Sequence, residues 1–305
     1  MRFKRHCFPQ MMTGLGALVA LAAAACGGGG YGGSSAPAAT SAPAAAAAPT
    51  FPAGSTMAGI VSKGSMTVGV KYDVPLMGLY DPVSQKVDGF DIAIAKELAK
   101  DMGLKENQVK FIEAVTANRI PFLTDDKADL MISTFTITDE RKQQIDFSRP
   151  YYVAGQSVMV KSDNTTIKKV QDLAGKNVCA QSGSTSEAAI KTTVPTANLL
   201  PLQVLSACIQ AMKDGRVDAV STDDIQLAGF AIADKSLKMV GGQFTVEPYG
   251  IGLKKGKPDL LKFVNDDLTK MLQDGRWEKI YTQYLSQVPG APSAADAKAR
   301  VLAAN

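Results

Sequence analysis

The sequence predicts an α/β chain folded as two similar lobes, on three observations. From Met66 onward, short apolar runs alternate with amphipathic stretches. Residues 123–133 are echoed by 212–221, each reading as a helix end, a tight turn carrying an acid, and a buried strand. Two extended stretches, 151–161 and 247–253, are placed to join the halves and form a two-segment hinge. At 305 residues, 46% hydrophobic and 20% charged, the chain has enough apolar material for two ordinary domains.

The elements follow in order. Arg2, Lys4 and Arg5 precede an uncharged apolar run over residues 11–25, too short for the ~20 residues of a membrane helix, so 1–25 reads as a signal peptide. Its Ala-rich end before Cys26 resembles a bacterial lipoprotein box, with Ala23 where leucine is usual, and this resemblance implies lipidation of Cys26. Residues 26–56 are nearly all Gly, Ser, Ala, Pro and Thr without charge, a flexible tether with an end-to-end distance of roughly 30 Å. Strands are expected at 66–70, 109–112, 130–134, 158–160, 177–180, 219–221 and 238–240. Asp91 is expected to cap a helix carrying Ile94, Leu98 and Met102, ended by Gly103. Further helices are expected at 118–125, 140–144, 185–192, 206–213, 224–233, 258–273 and 276–287. Asp129 and Asp218 occupy matching turns and read as structural, while the Ala-rich residues 289–305 form a tail without an assigned role.

Composition removes several classes of function. The chain has 33 Lys and Arg against 29 Asp and Glu; loss of the three leader cations leaves 30 against 29, which does not suggest a nucleic-acid binder. The only histidine, His6, lies in the leader, which excludes Ser-His-Asp and Cys-His catalysis and any His-ligated metal. No phosphate loop is present, and Gly27–Gly33 has neither a strand before it nor a helix after it. With Cys7 in the leader and Cys26 lipidated, Cys179 and Cys208 remain, which in an exported protein most simply form one disulfide. The alternative is two separate buried thiols.

The candidate site lies around residues 131–152. Ser133, Thr134 and Thr136 cluster where a strand ends, Thr138 can cap the next helix, and Arg141 falls in its first turn, against the helix dipole. A guanidinium there can hold a ligand carboxylate bidentately, the hydroxyls adding hydrogen bonds; the bland alternative is a surface pair with Asp139 or Glu140.

Asp88-Gly-Phe90-Asp91, the run 134–141, Phe147-Ser-Arg-Pro-Tyr-Tyr152, the run 215–220 and Asp274-Gly-Arg-Trp277 together resemble the polar amino-acid solute-binding proteins of ABC importers, over about residues 66–286. The resemblance implies the two-lobed type 2 periplasmic-binding-protein (Venus-flytrap) fold, with lobe 1 at 57–153 plus 249–288 and lobe 2 at 154–248. It also implies that Arg141 clamps a ligand α-carboxylate, that Asp223 holds the α-ammonium, and that Gln181, Ser184 and Thr185 form the facing loop. In glutamate- and aspartate-binding relatives an arginine matching Arg119 takes the distal carboxylate, and Lys71 stands where glutamine- and basic-amino-acid binders carry an aspartate. Three cations against Asp223 then favour an acidic ligand. Residues 70–75, the cysteine pair and 247–255 resemble the glutamate-binding lipoproteins of high-GC Gram-positive bacteria. Phe90 can stack on the ligand or belong to the core, and Tyr72 is open in the same way. The expectation is a monomer, lipid-anchored outside the cell membrane, without cofactor or metal, delivering L-glutamate, or next aspartate, to membrane permease subunits. The alternatives are a glutamine- or asparagine-binding member of the same family, an exported lyase or dehydratase using Glu187 as acid, and a detached sensory module.

Overall fold

The computed structural model describes residues 49–304. The signal-peptide and Cys26 assignments lie outside the described residues, as does the tether up to residue 48. The rest of the expected tether packs on the body: Phe51 lies edge-on to Phe263, 5.7 Å between ring centroids. Ser55 caps the first helix by accepting from Ala58 N. Thr56 then donates to Asp259 from both its N–H and its hydroxyl. The folded part therefore begins before Met57.

The first lobe runs through α1 (Thr56–Lys63), β1 (Met66–Val70), a meander of β2 (Asp73–Val74), β3 (Gly78–Asp81) and β4 (Lys86–Asp88), α2 (Phe90–Asp101), β5 (Val109–Glu113), α3 (Arg119–Thr124), β6 (Leu130–Met131), α4 (Asp139–Lys142) and β7 (Asp146–Ala154). The chain then enters a second sheet through β8 (Gln156–Lys161), followed by β9 (Asn177–Gln181), α5 (Thr185–Thr193), β10 (Asn198–Leu202), α6 (Leu205–Lys213), β11 (Ala219–Asp223), α7 (Asp224–Ala233) and β12 (Leu237–Val240). It returns with β13 (Glu247–Leu253) and closes with α8 (Pro258–Asp274), α9 (Arg276–Tyr284) and α10 (Ala294–Ala303).

The two five-stranded sheets have the same plan. In the first, ordered β5-β1-β6-β13-β7, β1 is parallel to β5 and β6 while β13 is antiparallel to β6 and β7. In the second, ordered β10-β9-β11-β8-β12, β9 is parallel to β10 and β11 while β8 is antiparallel to β11 and β12. In each, the antiparallel strand beside the parallel trio is the one that has just crossed from the other lobe. The crossings lie at Gly155 and between Val240 and Glu247.

The internal echo has a structural meaning. Asp129 N donates to Thr67 O (2.8 Å) and its carboxylate accepts Thr67 N (2.7 Å). Asp218 N donates to Asn177 O (2.7 Å) and its carboxylate accepts Asn177 N (2.8 Å). Each acid thus satisfies the backbone at the entry to the central parallel strand of its lobe. Cys179 on β9 and Cys208 on α6 form a disulfide, with Cα atoms 5.4 Å apart.

Two expectations need correction here. Asp91 does not cap α2, because the helix starts one residue earlier with Gly89 as N-cap; its buried carboxylate bonds elsewhere, as described below. The tail at 289–305 contains α10, which buries Ala297 and Val301 and ties back through Lys298 to Glu278, while Pro292 O accepts from Tyr281 Oη. Its apolar face covers α9 and β7, and hence the approach to the first crossing.

Candidate functional site

The parallel strands of both sheets run toward the space between the lobes, where ligands of open α/β sheets bind, beyond the carboxyl ends of the strands. Lys71 follows β1, Ser133 and Thr134 follow β6, Gln181 ends β9 and Asp223 ends β11. Thr116, Arg119, Thr134, Thr136, Gln181, Ser184, Thr185, Ser186, Thr222, Asp223 and Gln226 line a tight cavity of about 10 Å³ between the lobes. A larger groove between β7 and α8, bordered by Phe147, Arg149, Asn265 and Thr269, is open to solvent and gathers none of these groups.

In lobe 1, Thr134 has φ 44°, a left-handed conformation uncommon for a threonine. Two buried side chains hold it there. Asp91 accepts Thr134 N at 2.9 Å and Tyr151 Oη at 2.8 Å. Arg119 donates through Nη1 to Ser133 O and Thr134 O, both at 3.0 Å, and through Nε to Thr116 O at 3.1 Å. The guanidinium groups of Arg119 and Arg141 lie 4.2 and 5.0 Å from the centroid of Phe135, so this ring is a shared platform for both cations. Thr138 caps α4 by accepting Arg141 N. The Arg141 guanidinium then turns away from solvent, donating to Thr136 O at 2.7 Å and, across the cleft, to Gly183 O at 3.3 Å. The surface-pair alternative for Arg141 is thereby replaced by a bridge between lobes.

In lobe 2, Gly183 occupies a left-handed turn (φ 73°) that leads into α5. Ser184 caps the helix by accepting Glu187 N, and the Glu187 carboxylate accepts Gly183 N and pairs with Lys191. Glu187 is therefore a capping residue of α5, as its first-turn position anticipates. Asp223 accepts from Tyr249 Oη and from Gln226 Nε2 at 2.9 Å. Ser133 Oγ, Thr134 Oγ1, Gln181 Nε2 and Asp223 Oδ1 are buried and have no hydrogen-bond partner. Such atoms are uncommon in folded proteins, and their gathering at one cleft marks it as a place for a polar ligand.

Lys71 and Arg119 are 2% and 4% exposed, so neither is a solvent-facing residue. Lys71 Nζ donates to Thr116 Oγ1 at 2.6 Å. Burial, and next the repulsion of Arg119, bring its ammonium down to about 7. Burial raises the Asp91 carboxyl to about 7, against the opposing hydrogen bonds from Tyr151 and Thr134. Asp223 is raised to about 7 by burial and then by the neighbouring Glu247. The arginines are held below their usual range, chiefly by burial.

The expected charge inventory changes in consequence. Besides Asp223, the carboxyl groups of Asp91 and Glu247 are buried near these cations: Asp91 and Asp223 act on Lys71, Asp223 on Arg119, and Glu247 and Asp223 on Arg141. Phe90 is fully buried against Tyr151, Tyr152 and Trp277 and belongs to the core, not to the cleft, because α2 turns this residue toward β7 and α9. Tyr72 stacks on Tyr80 and donates to Phe111 O, also away from the cleft. The sequence reading missed Thr116, Phe135, Gln226, Glu247 and Tyr249. For Glu247 a signal existed, since an acid opening an otherwise apolar strand is seldom buried without a role.

Residues 66–287 match the family described as bacterial extracellular solute-binding proteins, family 3. The chain is 41% identical over 235 residues to the ABC transporter glutamine-binding protein GlnH of Bacillus subtilis, covering 77% of this chain and 86% of that protein. It is 29% identical over 245 residues to the glutamate-binding protein GluB of Corynebacterium glutamicum, covering 77% and 83%. Among solved structures, an ancestral arginine-binding protein bound to glutamine is similar with a TM-score of 0.69 and 40% identity, over 73% of this chain and 99% of that one.

Proposed function

The chain belongs to the bacterial extracellular solute-binding proteins of family 3, and from that premise we propose that it binds a polar L-amino acid with an uncharged side chain, glutamine before glutamate, and delivers it to an ABC permease. The observation that carries this reading is the engagement of Arg119 within lobe 1. A zwitterion brings the cleft one cation and one anion, whereas a second ligand carboxylate would have to be met by Lys71, whose ammonium sits near 7. Arg119, the expected partner of a distal carboxylate, has Nε and Nη1 engaged by backbone carbonyls. The neutral groups Thr134 Oγ1 and Gln181 Nε2 suit an amide instead.

In this reading Arg141 receives the α-carboxylate, aided by Ser184 and Thr185, and Asp223 receives the α-ammonium. The lobes close about Gly155 and residues 241–246, so that bound ligand stabilises the form the permease meets. Delivery needs no chemical step. Cys26 carries the lipid that tethers the monomeric protein outside the membrane, so Cys26→Ala should release it into the medium. Among the described residues no helix is long and apolar enough to cross a membrane.

Glutamate remains a second reading because of Lys71, whose ammonium can meet a side-chain carboxylate when protonated. Titration calorimetry of the purified protein against L-glutamine, L-glutamate, L-asparagine and L-aspartate separates the two. Tighter binding of an amide supports the neutral pocket. Tighter binding of an acid overturns that preference and shows Lys71 charged in the complex.

A further inference from the structure

Glu247 is the first residue of the returning hinge strand and is 5% exposed. Its carboxylate is held at both ends of the hinge. Gln156 Nε2, from the outgoing strand, donates to its Oε1 at 2.8 Å, and Thr245 Oγ1, from the returning segment, donates to the same oxygen at 2.9 Å. Gln156 is also the cross-strand partner of Asp223 in the second sheet. Tyr249, two residues after Glu247 and on the same strand face, donates to Asp223 Oδ2. Glu247 and Asp223 are thus drawn together from opposite sheets, and each retains a buried oxygen without a partner, Oε2 and Oδ1.

We propose that Glu247 is a positioning residue for the ammonium site, acting through Asp223: held at the hinge by Gln156 and Thr245, its carboxylate opposes the ionised form of Asp223 in the unliganded protein, and the ligand ammonium displaces a proton from Asp223 to solvent. The inference rests on the assignment of Asp223 to the ammonium made above. Glu247 is named by its electrostatic hold on both Asp223 and Arg141. The other charged or titratable groups facing Asp223 are Asp224 on its own side, Tyr249 and Tyr152 from the first sheet, and Lys71, Arg119 and Arg141 from lobe 1. The free-state carboxyl of Asp223 sits near 7 and an ammonium favours its ionised form. Binding therefore releases a proton near neutral pH, and affinity falls as the pH drops, by roughly tenfold between pH 8 and pH 6.

The test is calorimetric titration of the wild-type protein with L-glutamine at pH 7 in two buffers of different ionisation enthalpy. The expected result is release of a substantial fraction of a proton; binding with no proton exchange overturns the proposal while leaving the amino-acid-binding function intact. Absence of binding to any of the amino acids would instead sink the function itself. In Glu247→Gln both hinge hydrogen bonds can persist, since the amide oxygen still accepts, but the like charge is gone. Burial still raises Asp223 in this variant, so its affinity should keep a pH dependence between 6 and 8 that is weaker than in the wild-type protein, and its proton release at pH 7 should shrink. Lys71 also titrates in this range and feels the charge of Asp223, so the comparison is repeated in the Lys71→Met background, where the Lys71 step is absent and the effect of Glu247→Gln should persist. An unchanged pH profile in a folded Glu247→Gln protein, checked by its thermal unfolding, would overturn the assignment.

Discussion

Arg141 shows how a local misfit in sequence becomes a contact in space. A cation in the first turn of a helix opposes the dipole, and here the side chain leaves that turn to bond Thr136 O in lobe 1 and Gly183 O in lobe 2. Replacing it by alanine removes the proposed ligand clamp and an interlobe bond together, and leaves buried acceptors facing nothing. Affinity for every amino acid is expected to drop at least 100-fold, as read by calorimetry, with glutamine and glutamate affected alike. Arg141→Lys should recover only part of this, because one ammonium cannot reach both carbonyls and a ligand carboxylate.

Lys71 gives a different kind of test at the same scale. Its folded-state value lies near 7, below the usual range, so it is charged in acid and neutral in alkali. The ammonium site is common to glutamine and glutamate, so its titration cancels in the ratio of their affinities. That ratio should shift toward glutamate as the pH falls from 8 to 6. In Lys71→Met it should be flat. A flat ratio in the wild-type protein would mean that Lys71 does not sense the ligand side chain.

At the level of elements, the disulfide ties the central strand β9 to α6 across 29 residues of sequence. Loop-closure entropy alone assigns such a link about 3–4 kcal/mol. Replacing both cysteines by alanine should therefore lower the unfolding free energy by about that amount, measured by chemical denaturation. Both cysteines are fully buried, and neither lines the cleft. Ligand affinity under native conditions should thus change far less than stability. Much at this scale was readable from local pattern: the parallel strands β1, β5, β6, β9 and β11, helix α2, the capping by Thr138 and the paired turns at Asp129 and Asp218. The meander β2–β4 and strand β10 were not, because short strands with mixed exposure carry little alternation. The tail was open between a frayed helix and disorder, and α10 is the helix: an Ala-rich segment takes its order from the surface it covers.

For the whole molecule, closure depends on contacts away from the ligand. The loop after β1 reaches lobe 2, where Asp73 accepts Ser206 N at 2.9 Å at the start of α6. Nearby, α7 passes so close to this loop that a Cβ on Gly229 would stand 2.5 Å from Pro75 O. Gly229→Ala should keep the lobes apart at this point and weaken binding by roughly fivefold to 100-fold, since such overpacking costs about 1–3 kcal/mol. Because the open form relieves the clash, thermal stability without ligand should fall little, and the gain in melting temperature on adding ligand should shrink. Unchanged affinity would show that the lobes can close without this contact.

Residue order alone was enough to indicate an α/β chain of two related lobes, one cysteine pair, hydroxyls at strand ends and an arginine out of place, since these follow from neighbours close in sequence. The preference of the cleft did not follow from that order. Asp91 arrives from α2 to meet Thr134, 43 residues on, and Glu247 meets Gln156 across 91 residues. These two acids add buried carboxyl groups to a cleft whose nearby sequence shows mainly cations. Charges in a buried cleft act through space and through their desolvation, and both depend on which distant segments the fold brings together.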